Sequence, residues 1–181
     1  MRFFFAISAI GKDRPGIVAD VAELIYETGC NMEDSAMTLL ANQFALLILL
    51  SGSGKELVDR LASGCKRLEK EKNLTVFFTP LSVQEIHETQ QMRGEPYRLM
   101  AEGLDKAGIV FKVCRLLANY KANIIDMKTR SHPSAETGTP IYTMDIEMVV
   151  PDDAPLEELK TELNRVGDDL AIEIQLKKSE K

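Results

Sequence analysis

The stretch GKDRPGIV, residues 11–18, lies between an apolar run at 3–10 and a segment with helical periodicity. This order predicts a strand, a turn and then a helix. Pro15 suits the first helical position, because its fixed φ fits there and its missing N–H is not needed. Gly16 lets another group approach the backbone closely. The stretch therefore predicts a tight strand-to-helix turn with an accessible backbone.

The same turn offers groups of both charges. A helix N-terminus presents free N–H groups and a partial positive charge, which attract a carboxylate. Asp13 adds a negative group that suits an ammonium. The combination favours a zwitterion such as a free amino acid. In the alternative interpretation, Pro15 and Gly16 only shape the turn and Asp13 only caps the helix.

Composition narrows the classes of function. The chain has 181 residues, enough for one domain or two small ones, and a net charge of −6. This charge gives no basic field for nucleic acid or anionic lipid, and no run is long enough to span a membrane. Three scattered cysteines, Cys30, Cys65 and Cys114, are typical of reduced core thiols in a cytoplasmic protein. Cys and His lack metal-ligand spacing, so we expect no metal and no cofactor.

Hydrophobic periodicity predicts the order βαββαβ twice. In the first half we expect strands at 3–10, 30–40, 43–50 and 74–81. After a polar segment at 82–96, the order restarts with strands at 97–103, 123–130 and 141–150, and a loop at 131–140. We therefore predict a first domain at 1–81, a linker at 82–96 and a second domain at 97–181.

The two halves are copies of one another. A shift of 92 residues aligns the glycines, aspartates and asparagines of the first turn and second strand, as well as the apolar stripe of the helix. The aligned pairs are Gly11 with Gly103, Asp13 with Asp105, Gly16 with Gly108, Asn31 with Asn123 and Asp34 with Asp126. This match indicates a duplicated unit of about 80 residues.

The strands of the two copies differ in polarity. Residues 3–5 and 44–50 are apolar on both faces, whereas 141–150 alternates between apolar and polar side chains. A sheet that carries helices on one face and meets water on the other alternates. We therefore expect the open face of the first sheet to be buried, against another subunit or the other repeat, and that of the second to be wetter.

The turn at 11–18, together with an Asn that opens the second strand, resembles the ACT domain, a small-molecule regulatory module. Nearly the whole chain fits as two tandem copies, which resembles the glycine cleavage system transcriptional repressor group. The resemblance implies an α+β fold of two ferredoxin-like domains, each an antiparallel four-stranded sheet with two helices on one face. It also implies a cytoplasmic homo-oligomer that binds an amino acid, with glycine as one candidate, and acts on a protein partner such as a transcription regulator.

In such families the ligand lies between the first turn and the start of the second strand, often at an interface between two ACT units. The resemblance therefore implies that one site contains Asp13, Arg14, Pro15, Gly16 and Asn31. The other contains Asp105, Gly108 and Asn123. The second copy departs from the pattern, because Ala107 replaces Pro15 and Lys121 replaces Gly29. Alternatively, the asparagines only turn the chain after a helix.

Two other classes remain as alternatives. The turn also resembles that of formyltetrahydrofolate deformylase, so an ACT-containing enzyme or subunit of amino-acid or one-carbon metabolism is the main rival. Its catalytic domain would lie where this chain has a second repeat, and no motif places a nucleophile beside His87 or His132. An RNA-binding module with the same strand order needs exposed aromatics on a basic surface. Residues 43–50 have one aromatic and no basic residue.

Overall fold

The computed structural model describes residues 2–90, 93–135 and 137–179, with no account of the side chains of 87–90. The chain divides into two compact units, Met1–Gln90 and Gln91–Lys181. Each unit has its own hydrophobic core. The units are therefore described one at a time.

Each unit follows the predicted order βαββαβ. The first unit consists of β1 (Phe3–Lys12), α1 (Ile17–Thr28), β2 (Asn31–Leu40), β3 (Gln43–Gly52), α2 (Leu57–Lys72), β4 (Thr75–Leu81) and a further helix, α3 (Val83–Gln90). The second consists of β5 (Glu95–Leu104), α4 (Ile109–Asn119), β6 (Asn123–Pro133), β7 (Pro140–Val150), α5 (Leu156–Leu170) and β8 (Ile172–Lys178).

The two antiparallel sheets have the same topology. Their strand orders are β2-β3-β1-β4 and β6-β7-β5-β8, so β2 and β6 are edge strands. Both edges carry a register shift at the equivalent place, Met32/Asp34 and Ile124/Asp126. The predicted α+β architecture of two ferredoxin-like domains is confirmed.

The core lies between each sheet and its helices. Phe5, Ile7 and Ala9 alternate along β1 and are buried, as strand geometry requires of one face. They share a cluster with Val21 of α1 and Leu61 of α2, both fully buried. Burial of a Leu or Ile side chain stabilises a fold by about 1.5–3 kcal/mol. The packing of these side chains in one core therefore fixes the start of α1 next to the end of β1.

Helix α3 lies in the segment that the sequence analysis takes as the linker. The N–H of Glu85 donates to Ser82 Oγ at 3.2 Å, and the Glu85 carboxylate accepts from the N–H of Ser82 at 2.7 Å. This reciprocal pair is a capping box, and its S-x-x-E signature was visible in the sequence. A polar segment can therefore still begin a helix.

Two local expectations are wrong. The loop predicted at 131–140 is shorter, because β6 continues to Pro133 and His132 pairs with Ile141 in the β6–β7 ladder. Pro15 does not occupy the first helical position. Gly16 takes a left-handed conformation and α1 begins after it, so Pro15 lies in the preceding turn.

The cysteines and the helices add two simple findings. All three cysteines are free, with Cys65 buried and Cys30 and Cys114 half-buried. Burial raises the pKa of the Cys65 thiol to about 11, and the nearby Glu69 carboxylate adds to this rise. Within the described residues, no helix is both long and apolar enough to cross a bilayer.

Candidate functional site at the strand-to-helix turns

The first turn is built around the backbone of Gly16. This residue has φ 86° and ψ −4°, a left-handed conformation that glycine adopts without strain. A Cβ built at Gly16 would meet no atom within 4 Å, so open space lies above the backbone. The turn therefore exposes its peptide groups to solvent or to a ligand.

The second turn has the same backbone. Gly108 has φ 95° and ψ −3°, and a Cβ built there also meets nothing within 4 Å. The shift of 92 residues found in the sequence therefore aligns two turns that match in conformation and in the space above them. Tight packing against other parts of the fold does not explain this match, because beyond the adjacent residues a Cβ at either glycine meets nothing within 4 Å.

Both turns leave N–H groups at a helix N-terminus. The first helical bond of α1 runs from the N–H of Asp20 to Gly16 O at 2.9 Å, and that of α4 from Lys112 to Gly108 O at 2.9 Å. In each helix, the two residues that precede this donor carry N–H groups that have no acceptor within the helix. Among the described residues, no side chain caps either helix. Such an N-terminus suits an anionic group.

Each turn also carries the predicted aspartate. The backbone N–H of Asp13 donates to Asn42 O at 2.8 Å, and that of Asp105 donates to Pro140 O at 3.1 Å. Neither carboxylate caps the following helix, so the capping interpretation of Asp13 is wrong. Each aspartate lies between the end of its strand and its glycine turn.

The surroundings of the two carboxylates differ. Asp105 Oδ2 accepts a hydrogen bond of 2.5 Å from Ser131 Oγ on β6. The first unit has Leu39 at the position of Ser131, and the Asp13 carboxylate has no partner among the described side chains. The Asp13 carboxylate is therefore more available to a cationic group.

Arg14 turns back onto α1. Its Nη2 lies 2.5 Å from Asp20 Oδ2, and Lys72 Nζ lies 2.9 Å from Asp20 Oδ1. Hydrogen bonds from Lys72 and Arg14 hold the pKa of Asp20 below its usual value. Asp20 thereby neutralises part of the Arg14 charge. Asp20 was not among the predicted site residues, although an acidic residue in the first turn of a helix is a known signal.

The structure does not bring Asn31 to the turn of its own unit. Asn31 pairs with Ser51, whereas Lys12 pairs with Gln43, at the other end of β3. Eight residue steps separate Gln43 from Ser51, which is about 26 Å. Asn123 likewise pairs with Val149, far from the turn at Gly108. Within each unit, the turn and the asparagine therefore lie at opposite ends of the sheet.

The end of the first sheet where Asn31 lies has its own polar cluster. Arg2 Nε donates to Ser51 Oγ at 3.0 Å, and Ser51 Oγ donates to Glu33 Oε1 at 2.5 Å. The Ser51 hydroxyl and the Arg2 charge hold the pKa of Glu33 below its usual value. The exposed Asn31 side chain therefore lies beside an ordered group of charges.

A wide depression in the second unit lies elsewhere. A depression of about 720 Å³ covers the open face of its sheet and is lined by charged side chains such as Lys128, Arg130 and Asp145. None of the predicted site residues lines it. Arg98 and Asp145 already pair with each other there, at 2.5 Å. The shape follows from the twist of a sheet, so we keep the turns as the candidate site.

Comparison with known proteins matches each half of the chain to an ACT domain model. The model described as the ACT domain matches residues 4–79, and a second ACT domain model matches residues 97–168. The glycine cleavage system transcriptional repressor of Escherichia coli (strain K12) is 44% identical over 50 residues, which is 28% of this chain and 26% of the repressor. The match thus spans about a quarter of the length of that relative.

Other relatives cover more of their own length. A UPF0237 protein of Methanocaldococcus jannaschii is 39% identical over 64 residues, which is 35% of this chain and 69% of that protein. The crystal structure of an unknown protein from Galdieria sulphuraria has a TM-score of 0.80 and 27% identity, and it covers 99% of this chain and 100% of its own. A structure provisionally described as a glycine cleavage system transcriptional repressor has a TM-score of 0.74 at 22% identity, with coverage of 100% and 99%, which shows the shared fold.

Proposed function

The chain belongs to the ACT domain family in both halves, and we propose that it is a regulatory protein that binds a free amino acid at its strand-to-helix turns. The observation that carries this proposal is the repeated glycine turn. Gly16 and Gly108 share one left-handed conformation, open space and an uncapped helix start. The helix N-terminus suits the carboxylate of an amino acid, and the nearby aspartate suits its ammonium.

The asparagine is supplied by a second ACT unit in this proposal. Strand β2 is an edge strand, and its unpaired backbone groups can form a ladder with another edge. When two β2 edges pair antiparallel, Asn31 of one copy lies beside the Leu40 end of the other. That end is close to the turn, because the N–H of Asp13 bonds Asn42 O. The asparagine amide then donates to a carboxylate and accepts from an ammonium.

The first turn is the stronger site in this proposal. Its aspartate has no partner among the described side chains, whereas the Asp105 carboxylate already accepts a hydrogen bond from Ser131. The second turn binds more weakly, since a ligand ammonium must compete with Ser131. We assign Asp13, Gly16 and Asn31 to the first site, and Asp105, Gly108 and Asn123 to the second. Arg14 and Pro15 then shape the turn, and the Arg14 guanidinium forms an ion pair with Asp20.

Regulation through a protein partner follows from linkage. A ligand that bridges two units stabilises their paired arrangement and shifts the population towards it. The name of the Escherichia coli relative suggests glycine as the first amino acid to test and a transcription regulator as the partner. The net charge of −6 provides no basic field for DNA, so the effect passes through protein contacts in this proposal.

The relatives favour a regulatory role over the enzymatic alternative. The matching family models are ACT domain models, and the Escherichia coli relative is named a transcriptional repressor. The buried Cys65 thiol, with its pKa raised to about 11, is a poor nucleophile at neutral pH. Catalysis with an amino acid substrate would favour the enzyme instead.

Titration calorimetry of the full chain with each of the twenty amino acids tests the proposal. We expect one or a few to bind, and Asp13→Asn to weaken binding at least about tenfold, because a charge-assisted hydrogen bond is lost. Asp59→Asn, at the first turn of α2, is a matched control and should leave binding unchanged. Absence of binding by any amino acid contradicts the proposal.

A mixing experiment tests the shared site. Asp13→Asn chains and Asn31→Ala chains should each bind poorly at the first site. In mixed pairs, the intact Asp13 of one chain meets the intact Asn31 of the other, so mixing should restore binding to part of the sites. If mixing restores nothing, the asparagine does not reach the turn across two chains.

A further inference from the structure

The open face of the first sheet is apolar and uncovered within its unit. Leu47, Phe77 and Ile10 are 55%, 62% and 43% exposed, and they lie on neighbouring strands β3, β4 and β1. Ser8 pairs with both Leu47 and Phe77, so these two side chains flank the centre of the face. Monomeric proteins rarely expose contiguous apolar patches larger than a few hundred Å².

We propose that this face is the contact between two copies of the chain, packed sheet against sheet about a two-fold axis. The proposal is independent of the amino acid site, which lies at the end of the sheet. Face-to-face packing of two sheets about 10 Å apart is a common way to bury such faces. A two-fold contact sets the same patch against itself.

The distribution of charged residues on this face supports a second copy of the chain as its binding partner. On the three rows of this face that pass through Ala6, Ser8 and Ile10, the charged residue is Asp34, which lies on the edge strand β2 and therefore at the periphery. At the next row, Arg2 lies over the Phe4 ring and is paired with Glu33. Two such faces meet without opposing like charges or burying an unpaired ion. The chain's other open sheet face is a poor complement. Contact with it would bury the charged Lys128 and Asp145 side chains against apolar ones, and removing charges from water is unfavourable.

The available area also fits a dimer. Four strands about 4.8 Å apart, with about eight residues each at about 3.3 Å, give a footprint of roughly 500 Å² per copy. The pair therefore buries about 1,000 Å², which is where specific interfaces begin. The apolar character of the face adds to this, since dimer interfaces are more apolar than ordinary surface.

Sedimentation equilibrium of the full chain, without amino acids, tests the inference. We expect a dimer whose dissociation constant rises at least tenfold in Leu47→Lys and also in Phe77→Lys. Both side chains are more than half exposed, so these variants should keep the circular dichroism spectrum and cooperative unfolding of the wild type. Tyr26→Lys, at an 86% exposed position on α1, is the matched control and should dimerise like the wild type.

Two results overturn the inference. The first is a wild type that stays monomeric at every concentration. The second is a dimer that neither face variant weakens, which places the contact elsewhere, for instance along β2. Either result leaves the amino acid proposal to its own calorimetric test, because that test reports ligand heat and not association.

Discussion

The open faces of the two sheets occupy equivalent positions and have opposite chemistry. In the first sheet, the middle row across the four strands consists of Ala36, Leu47, Ser8 and Phe77. In the second sheet, the same row consists of Lys128, Asp145, Met100 and Gln175. One face is suited to contact with another apolar surface, and the other to contact with water or a polar partner.

The helix-facing sides of the same strands did not diverge in this way. Ile48 and Ile146 occupy equivalent positions on β3 and β7, and both are fully buried. The edge-strand irregularity also recurs at Met32/Asp34 and Ile124/Asp126. The features shared by the two units are the helix-facing side of the sheet and the glycine turn, so these specify the fold. The other face is then free to specify a partner.

Truncation of the core should affect both units strongly. Ile48→Ala and Ile146→Ala each leave a cavity at a fully buried site, and such changes cost about 2–5 kcal/mol of unfolding free energy. Urea unfolding followed by circular dichroism measures the loss. Tyr26→Ala, at an exposed site, should stay within about 0.5 kcal/mol of the wild type. A loss below about 1 kcal/mol in one unit alone would break the proposed equivalence of the two cores.

Alanine at the two turn glycines should destabilise both units by a smaller amount. Gly16→Ala and Gly108→Ala force a Cβ into a left-handed conformation, which costs about 1–2 kcal/mol. Space does not oppose the change, because a Cβ meets nothing within 4 Å at either position. Thermal unfolding of both variants measures the cost. A neutral result at one position would show that its left-handed backbone is not required.

Much of this architecture was predictable from the sequence, for physical reasons. Helical and strand periods differ, so the element order and the repeat can be recognised from hydrophobic positions alone. The separation of Asn31 from its turn was also predictable in principle. The intervening helix α1 has 12 residues and is about 18 Å long, so the next strand must begin at the far end of the sheet. A family pattern consists of residue types in order along the chain and does not contain this distance.

Other features depend on register, which the sequence does not display. Ser131 meets Asp105 only because β6 extends to Pro133 and pairs with β7 up to Pro140. The irregularity at Met32/Asp34 places Glu33 beside Ser51 and Arg2. Neither contact follows from periodicity, since a shift of one residue reverses which face a side chain occupies. The ligand roles of the predicted residues remain predictions.

The ion pairs around α1 should make the stability of the first unit depend on pH through Asp20, whose equivalent in the second unit is not acidic. Asp20 contacts Arg14 and Lys72, and its pKa is lowered in the folded protein. The equivalent residue of the second unit is Lys112. The stability that Asp20 contributes is present above its unfolded pKa of about 3.9 and is lost as pH falls through the lower folded pKa.

Asp20→Asn measures this contribution directly. The difference in unfolding free energy between wild type and variant should be constant from pH 7 to about pH 4 and should shrink below that range. Chemical unfolding at several pH values gives the difference. A difference that grows on acidification contradicts the assigned partners, because protonated Asp20 no longer pairs with either cation.

The smallest effect is expected on the charged open face of the second sheet. Arg98 pairs with Asp145 through both oxygens, and hydrogen bonding from Arg98 lowers the pKa of Asp145. Both side chains are more than a third exposed, so solvent screens the pair. Exposed pairs of this kind contribute about 0–1 kcal/mol. Asp145→Asn should therefore reduce stability by less than about 1 kcal/mol at pH 7, and by still less in high salt. If thermal unfolding shows a larger loss, or if Asp145→Asn changes the oligomeric state as strongly as Leu47→Lys, the charged face is itself an interface and the contrast between the two faces fails.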